Sequence, residues 1–501
     1  MLDENSFRFL DHEHSLPDTG GWNEQKLGKL WLYNLHYFDD LNGQEADTRF
    51  LWHHALINRW IKENPPCAGN GWEPYPTSLR IVNWIKWLLA GNTPVPGMLS
   101  SLVVQVDWLS KRIEWHLLGN HLFVNAKALV FAGCFLDGGE AASWLRAGIS
   151  ILKKEIPEQI LPDGAQFERS TMYHALAVED MLDLLNILRF LISSPDVSPN
   201  QHSNPIMSTR IAIEQRLPSM LRWMNVMRHP DGGIGLFNDA AFGIAPSCEE
   251  LISYAARLGI KPARIENNTS ITLQDSGYVC LSNSIAYILF DVAPIGPDYL
   301  PGHAHADTLS LEMSLFGQRV FVNSGTSEYG ISDERHRQRS TAAHNTLEIN
   351  GENSSEVWSG FRVARRAYPY NQSFETQGDM QCASAWHSGY KRLSPPVAVG
   401  RKITLRRNLL EIEDLIEGQC KYAIARFYCH PDIVAKIVSE GLILLKLKEG
   451  QTVSLTVEGG EKVTVESSTW HPKFGVIEKN QCIVITLLTR KLITRLEWSP
   501  S

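Results

Sequence analysis

The chain has 501 residues, 44% hydrophobic and 20% charged, which excludes a disordered polymer and exceeds what one ordinary core organises. Two or three domains are expected. The net charge of −8 excludes a global basic footprint for nucleic acid, so an anionic partner has to be met by local clusters, of which "ERHRQR" (334–339) and "RVARR" (362–366) stand out.

In chain order, the first twenty residues are acidic and lack an apolar h-region, so they do not read as a signal peptide. The expected compartment is cytoplasmic as the chain stands, periplasmic if a leader precedes it. Apolar residues at three-to-four spacing predict helices near 48–63, 78–90, 106–136, 173–194 and 211–227. A polar, proline-bearing loop is read at 194–205. Amphipathic helices in series with no fixed-period repeat predict a divergent helical toroid. After about Asn268 the pattern changes. The stretches 277–293, 401–418, 442–467 and 482–498 are short, alternating and rich in Val, Ile and Thr, with Gly and Asn turns between them. The predicted architecture is α+β multidomain: an incomplete (α/α) toroid over 1–267, then an antiparallel β-sandwich over 268–501. No stretch reaches the apolar length of a membrane-spanning helix. Eight cysteines without a C-x-x-C pair demand no disulfide. Of the fifteen tryptophans, about two-thirds are expected in the core; Trp72, Trp115 and Trp358 are the ones singled out for sugar stacking.

The stretch "PGHAHADTLSLEM" (301–313) places His303, His305 and Asp307 at alternate positions ahead of Leu309, Leu311 and Met313. Read as a strand, it puts all of these on one inward face, where polar groups need partners. His344 opens another strand-like run, and Asn323 with Gly325 reads as a strand end and turn. Imidazoles with an oxygen donor suit zinc; otherwise the two neighbouring histidines serve different tasks. The helical half carries Asn120, His121 and Asn125 in "GNHLFVNAKAL", and Glu168, Arg169, Tyr173 and His174 ahead of a long apolar helix. "HPDGGIGLFNDAA" (229–241) is a glycine-rich loop ending in Asn238 and Asp239.

These segments, with "LWLYNLHYFDDL" (30–41), "GWEPYPTSLRIVNW" (71–84), "NSGTSEYG" (323–330) and "AAHNTLEINGENSSEVW" (342–358), resemble the heparinase II/III-like polysaccharide lyases, including heparan and alginate lyase relatives. The resemblance implies a toroid followed by a multi-sheet β domain, and β-elimination at a uronic acid. That chemistry must neutralise a carboxylate, remove the C5 proton and protonate the leaving O4. It implies Asn120 facing the carboxylate, Tyr173 as the acid for O4 and in some substrates the base, and His303 as base for one C5 epimer. His121, Asn125, Glu168, Asn238, Arg335, Arg339 and Trp358 are the expected substrate contacts, with Arg362 a further cleft cation. His305 and His344 match structural zinc ligands, and Asn323 stands where relatives carry an aspartate; Asp307 would orient one histidine. The reading requires Asn120, Tyr173 and His303 to converge on one anionic glycan. Two alternatives remain: a non-catalytic or biosynthesis-associated glycan-binding protein of the same fold, and a toroidal glycoside hydrolase drawing on Glu73, Glu168 and Asp239.

Overall fold

A computed structural model describes residues 1–193, 203–264 and 270–499. Residues 194–202 of the predicted loop and the expected boundary at 267/268 lie outside the described residues. The chain packs into two compact units, one of Met1–Gln159 with Glu179–Leu217, the other of Ile160–Val178 with Pro218–Ser501.

The first unit is helical, with helices Lys29–Tyr37, Phe50–Glu63, Pro74–Leu89, Met98–Ser110, Gly119–Phe135 and Gly139–Gln159 following a short hairpin of Ser6–Phe9 and His12–Ser15. In Phe50–Glu63 the buried positions are His53, Leu56, Ile57 and Trp60, the spacing of one helix face. Pro74 occupies the first turn of its helix, where a missing N–H is harmless. The continuous run expected over 106–136 is two helices. The chain breaks after Ser110, and Leu118 adopts a left-handed φ of 58° just before Gly119 restarts the helix. Asn120 therefore sits in a first turn, where its amide does not compete with an interior ladder. Trp22, Trp31, Trp60, Trp72, Trp84 and Trp87 are core residues of this unit. Trp72 packs against Trp60 and Trp108, which corrects its expected role as a sugar platform; Trp115 is 56% exposed.

The second unit carries the antiparallel sheets expected of the C-terminal half. A five-stranded meander (Ile271–Leu273, Tyr278–Ser282, Ala286–Asp291, Leu311–Leu315, Gln318–Phe321) shares one apolar core with an eight-stranded and a four-stranded sheet. Strands Met380–His387 and Leu409–Gly418 bury every second residue, the period that solvates one face of a sheet. The other face of the meander is covered by Ala165, Trp223, Val226, Met227 and Phe237, packed against Leu273, Tyr278, Cys280 and Leu289. All eight cysteines are free thiols. Among the described residues no helix is long and apolar enough to cross a membrane.

Candidate active site

The strand read across 303–315 begins only at Leu311, and all five of its residues to Leu315 are buried, so no solvent face alternates with an apolar one. Residues 301–310 form turns, and Leu309 has a left-handed φ of 66°. Ala304, His305, Ala306 and Asp307 are all buried, so there is no inward and outward face; the His303 side chain keeps 21% of its surface. His303 and His305 are related instead through a shared partner, Asp239, the last polar residue of the glycine-rich loop. The Asp239 N–H donates to the His303 carbonyl at 2.9 Å and Ser170 Oγ donates to the Asp239 carbonyl at 2.6 Å, which locks the loop end in place.

The fully buried Asp239 carboxylate is saturated. His303 Nδ1 lies 2.9 Å from Oδ2, His305 Nε2 lies 2.8 Å from Oδ1, and Arg335 donates to both oxygens, at 2.7 Å for Nη2 to Oδ2. Burial by itself would raise this carboxyl. The Arg335 guanidinium and the two imidazoles outweigh it and hold the group well below the usual carboxylate range. A permanently ionised acceptor on Nδ1 fixes that nitrogen as the N–H of His303 and leaves Nε2 with its lone pair. Glu168 Oε2 stands 3.8 Å from Nε2. Asp239 has no acceptor site left for acid or base work of its own, which removes it from the hydrolase reading.

Tyr173, in the first turn of the helix Thr171–Ser193, lies on His303 with ring centroids 4.1 Å apart. Its hydroxyl is 3.0 Å from the hydroxyl of Tyr329. Tyr329 is enclosed by His303, Phe361 and Phe474; burial raises its phenol well above the ordinary value, so it stays protonated and can share a proton with Tyr173. Asp239, weighed from sequence only as a hydrolase carboxylate, and Tyr329, not singled out, are the residues the structure sets against His303 and Tyr173. Both lie within the motifs "FNDA" and "NSGTSEYG", which are legible as segments but not as a dyad and a phenol pair.

The arrangement around His305 bears on the expected zinc. His305 Nε2 engages Asp239, and His344 Nδ1 lies 2.7 Å from the Ser340 carbonyl, so both N–H positions of the neutral rings are taken. The nitrogens left over, His305 Nδ1 and His344 Nε2, face each other 3.1 Å apart as two lone pairs. Burial pulls the His344 imidazole down to about 4 and lowers that of His305, so a proton is not the natural occupant between them at neutral pH. Asn323 is fully buried; its Oδ1 accepts from the Asn345 N–H at 3.4 Å, while Nδ2 has no partner among the described residues. The two facing imidazole nitrogens suit a small divalent cation. Asp307 accepts from the Asn238 N–H at 3.2 Å.

Arg335 and Arg339 lie four apart on one face of the helix Asp333–Arg339, and both are fully buried. Arg335 serves Asp239 and the Gly360 carbonyl; Arg339 serves the carbonyls of Ala304, Ser359 and Arg362. This corrects the expectation that they meet substrate: their donors are engaged inside the protein. Asn238 is corrected likewise. It adopts a left-handed φ of 58°, donates Nδ2 to the Arg169 carbonyl and Tyr278 hydroxyl, and accepts the His305 N–H on Oδ1. The Glu168 carboxylate is 3% exposed and holds Gln166 Nε2 at 3.1 Å, so its contact is with His303 rather than with bulk ligand. Trp358 is exposed.

In the helical unit, Asn120 Nδ2 donates to the Tyr75 hydroxyl at 3.4 Å. Beside it His121 lies against the Tyr75 ring, centroids 4.6 Å apart, and its Nδ1 is 3.1 Å from Glu114 Oε1; the side chain is 38% exposed. Asn125 is corrected as a substrate contact. It is fully buried, donates to Ser78 Oγ and Glu114 Oε2 at 3.0 Å each, and accepts the Glu114 N–H at 2.9 Å, so it fixes the loop that orients His121.

Comparison with known proteins places these observations in a family. The model described as "Heparinase II/III N-terminus" matches residues 55–243, and that described as "Heparinase II/III-like, C-terminal" matches residues 266–499. A heparin-sulfate lyase of Bacteroides stercoris is 23% identical over 463 residues, covering 87% of this chain and 62% of the relative. One of Bacteroides thetaiotaomicron is 24% identical over 377 residues, covering 66% and 53%. The chain thus spans less than two-thirds of the length of these relatives. Among solved structures, a heparinase III superposes with a TM-score of 0.75 at 17% identity, covering 97% of this chain and 79% of that one. The heparan sulfate lyase HepC of Pedobacter heparinus gives 0.65 at 16% identity, covering 98% and 80%. These likenesses show the fold, a helical toroid followed by antiparallel β-sheets. With the two models together matching most of its length, the chain belongs to the heparinase II/III-like family.

Proposed function

We propose that the protein is a polysaccharide lyase that cleaves a uronic-acid-containing glycan, of the heparan sulfate type named for its relatives, by β-elimination. The single observation that carries this reading is the pairing of an imidazole and a phenol with opposite proton duties. His303 has Nδ1 fixed by an ionised Asp239 and a lone pair on Nε2; Tyr173 lies on its ring with a hydroxyl tied to Tyr329. In the proposed reaction His303 Nε2 takes the C5 proton and Glu168 steadies the imidazolium that results. The Tyr173 hydroxyl, held by the Tyr329 hydroxyl, delivers its proton to the departing O4, and the C5 proton on the His303 imidazolium then passes back to the Tyr173 oxygen, which returns both groups to their starting states. For the other C5 epimer Tyr173 takes both duties. Asn120 is assigned to the substrate carboxylate by the family resemblance, its amide hydrogen-bonding the developing enolate. A zinc ion on His305, His344 and Asn323, when bound, would brace the turn that carries His303 and supply no chemistry to the reaction.

The test is ultraviolet absorbance of the unsaturated product on a panel of uronic-acid glycans, including heparan sulfate and alginate. Activity on at least one, reduced roughly 10²–10⁴-fold in Y173F, and in H303Q where the C5 epimer is the one His303 serves, is the expected result. New reducing ends without absorbance would replace the lyase reading with hydrolysis. Glycan binding without cleavage would leave a binding protein.

A further inference from the structure

We propose that the hairpin carrying Trp358 and Phe361 is a sugar-ring platform that grips a pyranose adjoining the cleavage point by its C–H face; this rests on the lyase reading above. Val357–Trp358 pairs with Arg362–Val363, and residues 359–361 form the turn. Trp358 and Phe361 are large apolar side chains left 54% and 40% exposed. Phe361 ties the turn to the proton-transfer groups. The Phe361 ring meets His303 edge-on at 5.7 Å and Tyr329 at 5.2 Å. A sugar covering Phe361 would therefore adjoin the residue held at His303, which commits the occupant to the same glycan.

The hairpin is held rigidly from beneath. Arg335 donates Nε and Nη2 to the Gly360 carbonyl at 3.2 and 3.0 Å, and Arg339 donates to the Ser359 and Arg362 carbonyls at 3.1 and 3.3 Å. Gly360 has no room for a Cβ, which would collide with the Gly330 carbonyl just after Tyr329. These donor contacts and a backbone-to-backbone seat fix a two-stranded turn that is too short to be stable alone. A platform preorganised in this way loses little freedom on binding. The two guanidinium groups beneath the turn are buried, and Arg335 is already paired with Asp239, so neither reaches the sugar. What the hairpin offers outward is aromatic carbon, the complement of the apolar face of a pyranose ring, with the exposed Arg362 directly across the strand pair from Trp358.

The experiment compares wild-type chain with W358A and W358F on whichever glycan the absorbance assay finds cleaved, at low and high sodium chloride. Glycan affinity is measured separately by gel retardation in the Y173F background. W358A is expected to raise KM and weaken retardation roughly ten-fold, the loss falling on KM rather than kcat, with W358F recovering most of it. The fold-change should be the same at both salt concentrations, because ring stacking is not screened. Cleavage by wild type with KM and retardation unmoved in W358A overturns the platform and leaves the lyase reading standing. A fold-change that collapses in high salt also overturns it, in favour of an ionic contact. No cleavage and no retardation by any glycan overturns both.

Discussion

Replacing Asp239 by asparagine isolates the pivot of the proposed mechanism. The carboxylate receives two imidazoles and a two-pronged guanidinium while fully buried. The amide introduced by D239N would keep one acceptor oxygen and turn an N–H₂ toward donors. Two consequences follow. His303 loses the ionised partner that fixes its tautomer, so the lone pair on Nε2 is no longer guaranteed and kcat should fall roughly 10²–10⁴-fold. Arg335 loses the carboxylate it pairs with while remaining buried, which costs about 3–5 kcal/mol of stability. The second effect can be separated from the first. In an R335Q background there is no buried cation to abandon, so D239N should cost about 1–2 kcal/mol, a coupling of about 2–3 kcal/mol in the double-mutant cycle. The double variant should then be folded yet still slow. Denaturant melts give the stabilities, and absorbance of the unsaturated product gives kcat. The reasoning is refuted if the two substitutions are additive within about 0.5 kcal/mol, or if D239N retains kcat within about three-fold.

Removing the Tyr329 hydroxyl with Y329F should lower kcat about five- to ten-fold with KM little changed, because one hydrogen bond to the acid is lost and no substrate contact; a change confined to KM would place Tyr329 in binding instead. Zinc analysis of protein dialysed against a zinc buffer should find close to one ion per chain, lost in H305A/H344A and held more tightly in N323D, which adds the negative charge that Asn323 lacks; no retained metal and no response to N323D would refute the site. Acid should destabilise the fold early. Burial holds His36 and His387 down to about 3 and His174 to about 4, so below the ordinary value of 6.5 the unfolded chain takes up protons that the native state refuses. The stability these groups provide is complete above pH 6.5 and is lost as pH falls toward 4, by about 2 kcal/mol per histidine at pH 5. Denaturant midpoints that do not move between pH 6.5 and pH 5 would contradict this.

The fold was legible where one period dominated. Helix Phe50–Glu63 and strand Leu409–Gly418 announce themselves through a three-to-four and a two-residue spacing that packing then uses directly. The period misled at 301–310, because a turn with buried Ala304 and Ala306 has the same letters as a strand with one polar face. Only the left-handed Leu309 separates the two, and Leu carries no signal for that conformation. Arg335 and Arg339 illustrate the other limit. A basic run usually marks a solvated face, but the groups that bury these two are carbonyls of residues 304 and 359–362, and a carbonyl is invisible in sequence. His303 and Tyr173 could be marked by motif; that a single aspartate joins His303, His305 and Arg335 depends on loops far apart in the chain meeting at one point.

The division of the chain has a bearing on how it can be dissected. Because residues 160–178 and 218–240 pack with the sheets, a fragment begun near residue 270 would lack Tyr173 and Asp239. It would also leave Leu273, Tyr278, Cys280 and Leu289 without Ala165, Trp223 and Phe237 to shield them. Expression of the sheet-rich half alone should therefore give insoluble material, and splitting the protein into recombinable halves would need a cut that respects the interlaced segments rather than the change from helix to strand.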